Sequence, residues 1–326
     1  MHLPRPRGPI SEAVVEVVRG GRAEIPSVTD IRSEDAQIAL WTVYELAYRG
    51  FGDASPDAER DLELLRWRHH AEDLLEAELR DLTRAAVDEA RAAAATVEGR
   101  LRALVDAGPS TPLARHLQRR ATREQVLAYL VERSVYHLKE SDPQAFVLGR
   151  VDGPAKVALG ELLYDEYGGG RPERLHSHLY AEALEACGLD ATYGAYIDQV
   201  EAPTLLSNNV MSLFAMQRRL RGASLGHLAA FEATSTDPCR RIAVGIERVG
   251  LPDAAAAYFH EHVEADAVHE QVVMGDICGA AVAAEPAIED DLLLGAATCL
   301  IIDAEASQAL YDAITAPAPE LAGAGR

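Results

Sequence analysis

The stretch YFHEHVEADAVHEQVV (258–273) places His262, Asp266 and His269 at i, i+4 and i+7. On an α-helix, at roughly 100° per residue, these three side chains fall within about 60° of one another. One face then carries two imidazoles and a carboxylate where an apolar stripe would ordinarily lie. Such a face can be solvated, can form a hydrogen-bonded core patch, or can bind a metal through ring nitrogens and a carboxylate oxygen. The triplet alone leaves all three readings open.

Two further segments offer matching donors. ELLYDEYGGGRPERLHSHLY (161–180) holds Glu166 and His176, ten positions apart across a glycine break. Glu232 lies in LGHLAAFEATSTDP (225–238) and follows the apolar run Leu228, Ala229, Ala230, Phe231. An acid in such a run tends to be buried, and a buried carboxylate needs a partner. A helix-end acid near a turn is the alternative. Helical bundles build dinuclear sites from carboxylates and histidines that project inward from several helices. Three imidazoles and three carboxylates without a thiolate suit iron or manganese, with carboxylates able to bridge two ions, although ligand type alone also admits zinc.

The elements that must position these groups read as helices. Apolar residues recur at helical spacing over 33–51 (with Ser33 as N-cap), 56–107, 123–140, 153–167, 173–187, 203–221, 222–235, 238–249, 252–274 and 287–314. Breaks fall at AGPSTP (107–112) and GGGRP (168–172). No alternating strand pattern and no repeat is found, so the fold class is all-α. The expected organisation is a flexible arm over 1–30, N-terminal helices over 31–125 packing on the bundle, a metal-binding bundle over 126–315, and a tail over 316–326.

Composition excludes several classes. The chain has 326 residues, 48% of them hydrophobic, and a net charge of −21. That balance argues against nucleic acid or an anionic membrane as partner. The longest apolar run, LLLGAATCLII (292–302), is too short for a membrane span. The N-terminal residues lack the apolar core of a signal peptide. Cys187, Cys239, Cys278 and Cys299 form no CxxC pair, so a reducing cytoplasm is the expected setting.

On DEYGGGRPERLHSHLY (165–180), Glu232 and the HxxxDxxH triplet of His262, Asp266 and His269, the sequence resembles the haem-oxygenase-like dimetal oxidases, the iron-containing redox enzymes. LVERSVYHLKESDPQAF (130–146) is also similar to family sequence, and the likeness spans roughly 30–315. The resemblance implies a haem-oxygenase-like helical bundle, here with an N-terminal helical extension. It implies metal ligands at Glu166, His176, Glu232, His262, Asp266 and His269, and two Fe(II) ions with O₂ as co-substrate. Some members carry one more carboxylate on the preceding helix, a role that Glu140 matches by position. That extra ligand accompanies N-oxygenating chemistry in the family. A haem protein is not implied, because the ligand set is rich in carboxylates.

The function this implies is O₂-dependent C–H activation of a small substrate, a free aliphatic amino acid, in natural-product biosynthesis. Outcomes in the family include desaturation, C–C cleavage and ring closure, with the azetidine-forming amino-acid oxidases as one type. An external electron donor and a homodimer are compatible partners. An amino acid would need a carboxylate clamp, with Arg133, Arg218, Arg219, Arg240 and Arg241 as candidates near the ligand segments. Asp165, Tyr167, His178 and Glu264 are the candidates for orienting the histidines. The rival readings are a diiron N-oxygenase of an amine or guanidine, a mononuclear iron enzyme on His262, Asp266 and His269, and a non-enzymatic helical scaffold.

Overall fold

The computed structural model of the chain describes residues 1–317, except for the side chains of 264–268. Its helices are α1 (Pro9–Val18), α2 (Glu34–Glu45), α3 (Leu62–Ala93), α4 (Val97–Ala107), α5 (Leu113–Arg119), α6 (Arg123–His137) and α7 (Asp142–Leu148). There follow α8 (Gly153–Glu166), α9 (His176–Ala186), α10 (Ala202–Met216), α11 (Arg221–Arg248), α12 (Asp253–Gln271), α13 (Ala280–Ala284) and α14 (Glu289–Thr315). No strand occurs among the described residues. The fold is all-α, with α1–α5 preceding the segment that carries the candidate ligands.

Local chemistry sets many of the boundaries. Ser33 caps α2 by accepting from the Ala36 amide at 3.3 Å. Asp61 caps α3 by accepting from the Glu63 and Leu64 amides. A capping box of Thr122 and Gln125 starts α6. The 56–107 segment resolves into α3 and α4, separated at 94–96.

The structure adds short helices that the sequence reading lacked, among them α5 and α7, and departs from it in two further places. Residues 1–30 read as a loose arm because of their Pro and Gly content, yet Pro9–Val18 is helical. Its Val14 and Val18 are fully buried against α2 and α3, and apolar packing fixes what propensity leaves open. Residues 222–235 and 238–249 read as separate helices, yet α11 runs unbroken through Pro238. Proline removes one backbone donor, the one that would reach the Thr234 carbonyl. Packing of α11 along α12 and α14 holds the helix together regardless.

The α11–α14 crossing depends on two glycines. A Cβ on Gly226 would overlap the Leu292 carbonyl oxygen, and one on Gly295 would overlap the Ala223 carbonyl oxygen. Bare backbone lets the two helices approach within touching distance. Immediately after α12 the chain widens into a π-helix, Val272–Gly279, with Val273, Met274, Ile277 and Cys278 buried. Such widenings frequently mark functional helices. No helix among the described residues is long and apolar enough to cross a membrane.

Candidate metal centre

Four helices and the turn after α6 deliver the candidate ligands to one buried region. Glu140 lies just past the end of α6, Glu166 ends α8, and His176 opens α9. Glu232 comes from α11, and His262 and His269 come from α12. All six side chains are buried. Two overlapping groups result: Glu140, Glu166, His176 and His262 form one, and Glu166, Glu232 and His269 form the other. Within each group, one donor atom per residue lies within 4.8 Å of the rest.

Glu166 belongs to both groups, one oxygen to each. Its Oε2 lies 3.0 Å from His176 Nδ1, and its Oε1 lies 3.6 Å from His269 Nδ1. His269 Nδ1 is also 3.4 Å from Glu232 Oε2, and His262 Nε2 is 3.5 Å from Glu140 Oε1. The side chain of Asp266 lies outside the described residues, as does that of Glu264; both positions are helical in α12.

The glycine run between Glu166 and His176 is a backbone requirement. Gly168, Gly169 and Gly170 have φ of 83°, 62° and 79°, the left-handed region that side chains disfavour. A Cβ on Gly168 would also strike the Arg171 carbonyl. The tight reversal brings the start of α9 back beside the end of α8. Ser141 is the one described non-glycine residue at positive φ, 66°, and its Oγ donates to Glu166 Oε2 at 3.0 Å. Such strained positions cluster at functional sites.

The histidine orientations suit metal ligation. His262 Nδ1 lies 2.8 Å from the Tyr258 carbonyl, an acceptor only, so Nδ1 carries a proton and Nε2 is the ring atom turned toward Glu140. His269 Nε2 lies 3.7 Å from Asp165 Oδ2, while its Nδ1 faces Glu166 and Glu232. His176 Nδ1 sits beside Glu166 Oε2 without hydrogen-bond geometry, as expected where nitrogen and oxygen lone pairs converge on a shared third point.

Charge tells the same story. The ion partners of Glu140 and Glu166 among the described residues are all histidines, with no lysine or arginine among them. Burial opposes the charged form of Glu140, but His262 and His137 outweigh it and hold its pKa well below the usual carboxylate range. Burial likewise opposes a charged His176, and Glu166 outweighs it and raises the ring's pKa. Buried carboxylates packed this closely require positive charge. A cluster of oxygen and imidazole donors fits iron.

Sequence reading missed the support around Glu140. The Tyr258 hydroxyl donates to Glu140 Oε2 at 2.7 Å and lies 2.6 Å from His137 Nδ1, from which it accepts. Burial pushes the His137 pKa down to about 4, against the opposing pull of Glu140, so that ring is neutral. Helical spacing offered a signal for both: Tyr258 is i−4 to His262, and His137 is i−3 to Glu140. Of the orienting residues expected from sequence, Asp165 lies near His269, and the Tyr167 hydroxyl donates to the Ser141 carbonyl at 3.3 Å. His178 is instead exposed and paired with Glu182, because it lies on the outer side of α9.

A cavity of about 330 Å³ opens onto the first group. Glu140, His137, Tyr258 and His262 line its inner end, and Tyr129, Phe231, Ile242, Phe259 and Leu310 contribute apolar wall. The stretch of α11 around Pro238 forms one side. Of the five arginines considered as a clamp, Arg133 and Arg241 line this cavity. Arg219 instead pairs with Glu76 on the far side of the bundle.

Comparisons with known proteins agree with this architecture. Residues 127–304, more than half of the chain, match the family described as iron-containing redox enzyme. Nitrosourea synthase of Streptomyces achromogenes subsp. streptozoticus is 28% identical over 160 residues, covering 49% of this chain and 34% of that protein. The chain thus spans about a third of the length of that relative. The crystal structure of a CADD-like protein of unknown function from Nostoc punctiforme PCC 73102 superposes with a TM-score of 0.50 at 17% identity. That superposition covers 74% of this chain and 98% of the other, and it shows a shared fold. With a match of that extent, on a fold that buries two overlapping histidine–glutamate groups, the chain belongs to the iron-containing redox enzyme family and is an oxidoreductase.

Proposed function

We propose that the protein is a non-haem diiron enzyme that uses O₂ to oxidise a small substrate, a free aliphatic amino acid. The observation that carries this reading is Glu166, whose two oxygens face two different donor groups. One iron would be held by Glu140, Glu166, His176 and His262. The other would be held by Glu166, Glu232 and His269, with Asp266 as a further ligand on the same face of α12. When bound, the ferrous pair supplies electrons to O₂ and the oxidising power to break a substrate C–H bond.

The chain's own residues perform the rest. The Tyr258 carbonyl fixes the His262 tautomer, and Asp165 lies beside the outer nitrogen of His269. Ser141 and Tyr258 each hold one carboxylate of the first group by hydrogen bonding. Phe231, Phe259 and Ile242 keep the cavity wall apolar and limit water near the reacting centre. Desaturation or ring closure withdraws two electrons from the substrate, whereas reduction of O₂ to water takes four. An external donor therefore supplies the other two.

A second reading, N-oxygenation, is favoured by Glu140, which joins the first group as a further carboxylate. The name of the relative nitrosourea synthase also denotes a product with a nitrogen–oxygen bond. Anaerobic Fe(II) loading, followed by O₂ exposure with a panel of free amino acids, tests both readings. A transient long-wavelength absorption that decays faster with one amino acid supports the diiron oxidase. Product mass then separates loss of two hydrogens from gain of ¹⁸O on nitrogen. No absorption and no substrate-dependent O₂ uptake with any amino acid would overturn the proposal.

A further inference from the structure

The cavity wall carries a charged pair made of the buried Arg133 of α6 and the part-exposed Asp303 of α14. Arg133 Nη1 donates to Asp303 Oδ1 at 3.2 Å, and the Arg133 side chain is 13% exposed. A guanidinium has five N–H donors. Among the described residues this is the one side-chain hydrogen bond that Arg133 makes, and Asp303 Oδ2 accepts none. The guanidinium also lies 5.8 Å from the centre of the Tyr136 ring, which steadies its plane. The other arginines on the cavity differ. Arg241 commits its Nε to the exposed Asp237 at 2.6 Å, and Arg115 is exposed at the rim.

We infer that Arg133 and Asp303 together read the zwitterionic head of a free amino acid, Arg133 taking its carboxylate and Asp303 its ammonium. This rests on the oxidase reading above for what happens at the other end of the substrate. Arg133, His137 and Glu140 follow one another at i, i+4 and i+7, and all three line the cavity. Arg133 lies a little over one helical turn before the end of α6 at His137, and Glu140 follows in the turn beyond it, so the two stand at most about 10 Å apart along the axis. A head group on Arg133 therefore sends an aliphatic side chain along the apolar wall toward Glu140 and His262. Its distal carbons, rather than Cα, meet the metal groups.

Charge selects the ligand class. Arg133 with Asp303 is a neutral pair, and a zwitterion laid antiparallel to it adds no net charge to the cavity. A fatty acid would bring a bare anion beside Asp303, and a simple amine would bring a cation beside Arg133. Either leaves one like-charged contact beside the pair, which selects against it.

Equilibrium binding of the twenty common L-amino acids to the full chain, with and without anaerobic Fe(II), tests this. At least one should bind, and its deaminated acid and decarboxylated amine should each bind at least tenfold more weakly. Arg133→Met should weaken amino-acid binding on the order of a hundredfold, as loss of a buried charge contact does. Asp303→Asn should weaken the amino acid and tighten the deaminated acid, an inversion that a merely structural role would not produce. Binding of no amino acid, or equal binding of the deaminated acid, overturns the inference; so does an Asp303→Asn variant that treats both ligands as the wild type does. Iron content separates the two proposals. Amino-acid binding with no iron retained sinks the oxidase and keeps the clamp, whereas two irons retained with an amino acid whose binding neither Arg133→Met nor Asp303→Asn changes sinks the clamp alone.

Discussion

Replacing Tyr258 by Phe removes one oxygen atom from a buried site and leaves the ring in place. That hydroxyl donates to Glu140 Oε2 at 2.7 Å and accepts from His137 at 2.6 Å. Tyr258 is 1% exposed, so no water substitutes freely. A hydrogen bond to a charged group contributes about 1.5–3 kcal/mol, and an orphaned buried donor adds to the loss. The metal-free variant should therefore lose about 2–3 kcal/mol, which for a chain of this size lowers Tm by roughly 3–4 °C. Glu140 also loses the contact that aims its carboxylate at His262, so the first group should bind Fe(II) about 10–100-fold more weakly. Differential scanning calorimetry and competitive Fe(II) titration read the two effects separately. Tyr164→Phe is the control, since that hydroxyl is exposed and donates only to the Gly169 carbonyl at 2.8 Å. If the two variants behave alike in both assays, the account of how Glu140 is held is wrong.

Two other outcomes follow from packing and titration. Gly226→Ala should destabilise the protein by about 1–3 kcal/mol or more, because its methyl group meets the backbone of α14 rather than a side chain that can move. Gly149→Ala, with open space around the new methyl, should change urea midpoints little. His227 of α11 is buried between the rings of Phe214 and Phe231, each 6.4 Å away, and burial pushes its pKa down to about 4. The unfolded chain takes up that proton near pH 6.5 and the fold does not, so stability is full above 6.5 and falls as pH drops toward 4. At pH 5 this one group costs about 2 kcal/mol. Comparing urea unfolding of wild type and His227→Phe at pH 7.5 and pH 5 should show the variant losing less on acidification; equal losses would refute the assignment.

Much of the site was legible because helical geometry carries it. His262 and His269 share a face of α12 by spacing alone, and the glycine run announces a reversal between Glu166 and His176. The structure brings these residues together with Glu232 from a distant helix, which its apolar neighbours signalled only as buried and the family resemblance signalled as a ligand. Glu140 was legible only as a position before Glu166. Its burial depends on α7 turning back at Ser141, whose positive φ no residue preference foretells. Tyr258 and Asp303 were invisible as functional groups, since each sits in a helix whose sequence accounts for it as core or surface. The same limit explains α1 and the unbroken α11: in both, packing by neighbours outweighed proline and glycine, which local rules read as breaks.

The central claim is that one carboxylate serves two metal positions, and iron counting tests it most directly. Wild-type protein loaded anaerobically with Fe(II), desalted and analysed by mass spectrometry for iron should retain two ions per chain. Glu166→Ala should retain fewer than one, because both groups lose a ligand together. One ion per chain in the wild type, left intact by Glu166→Ala, would contradict the account and point to a mononuclear centre on α12.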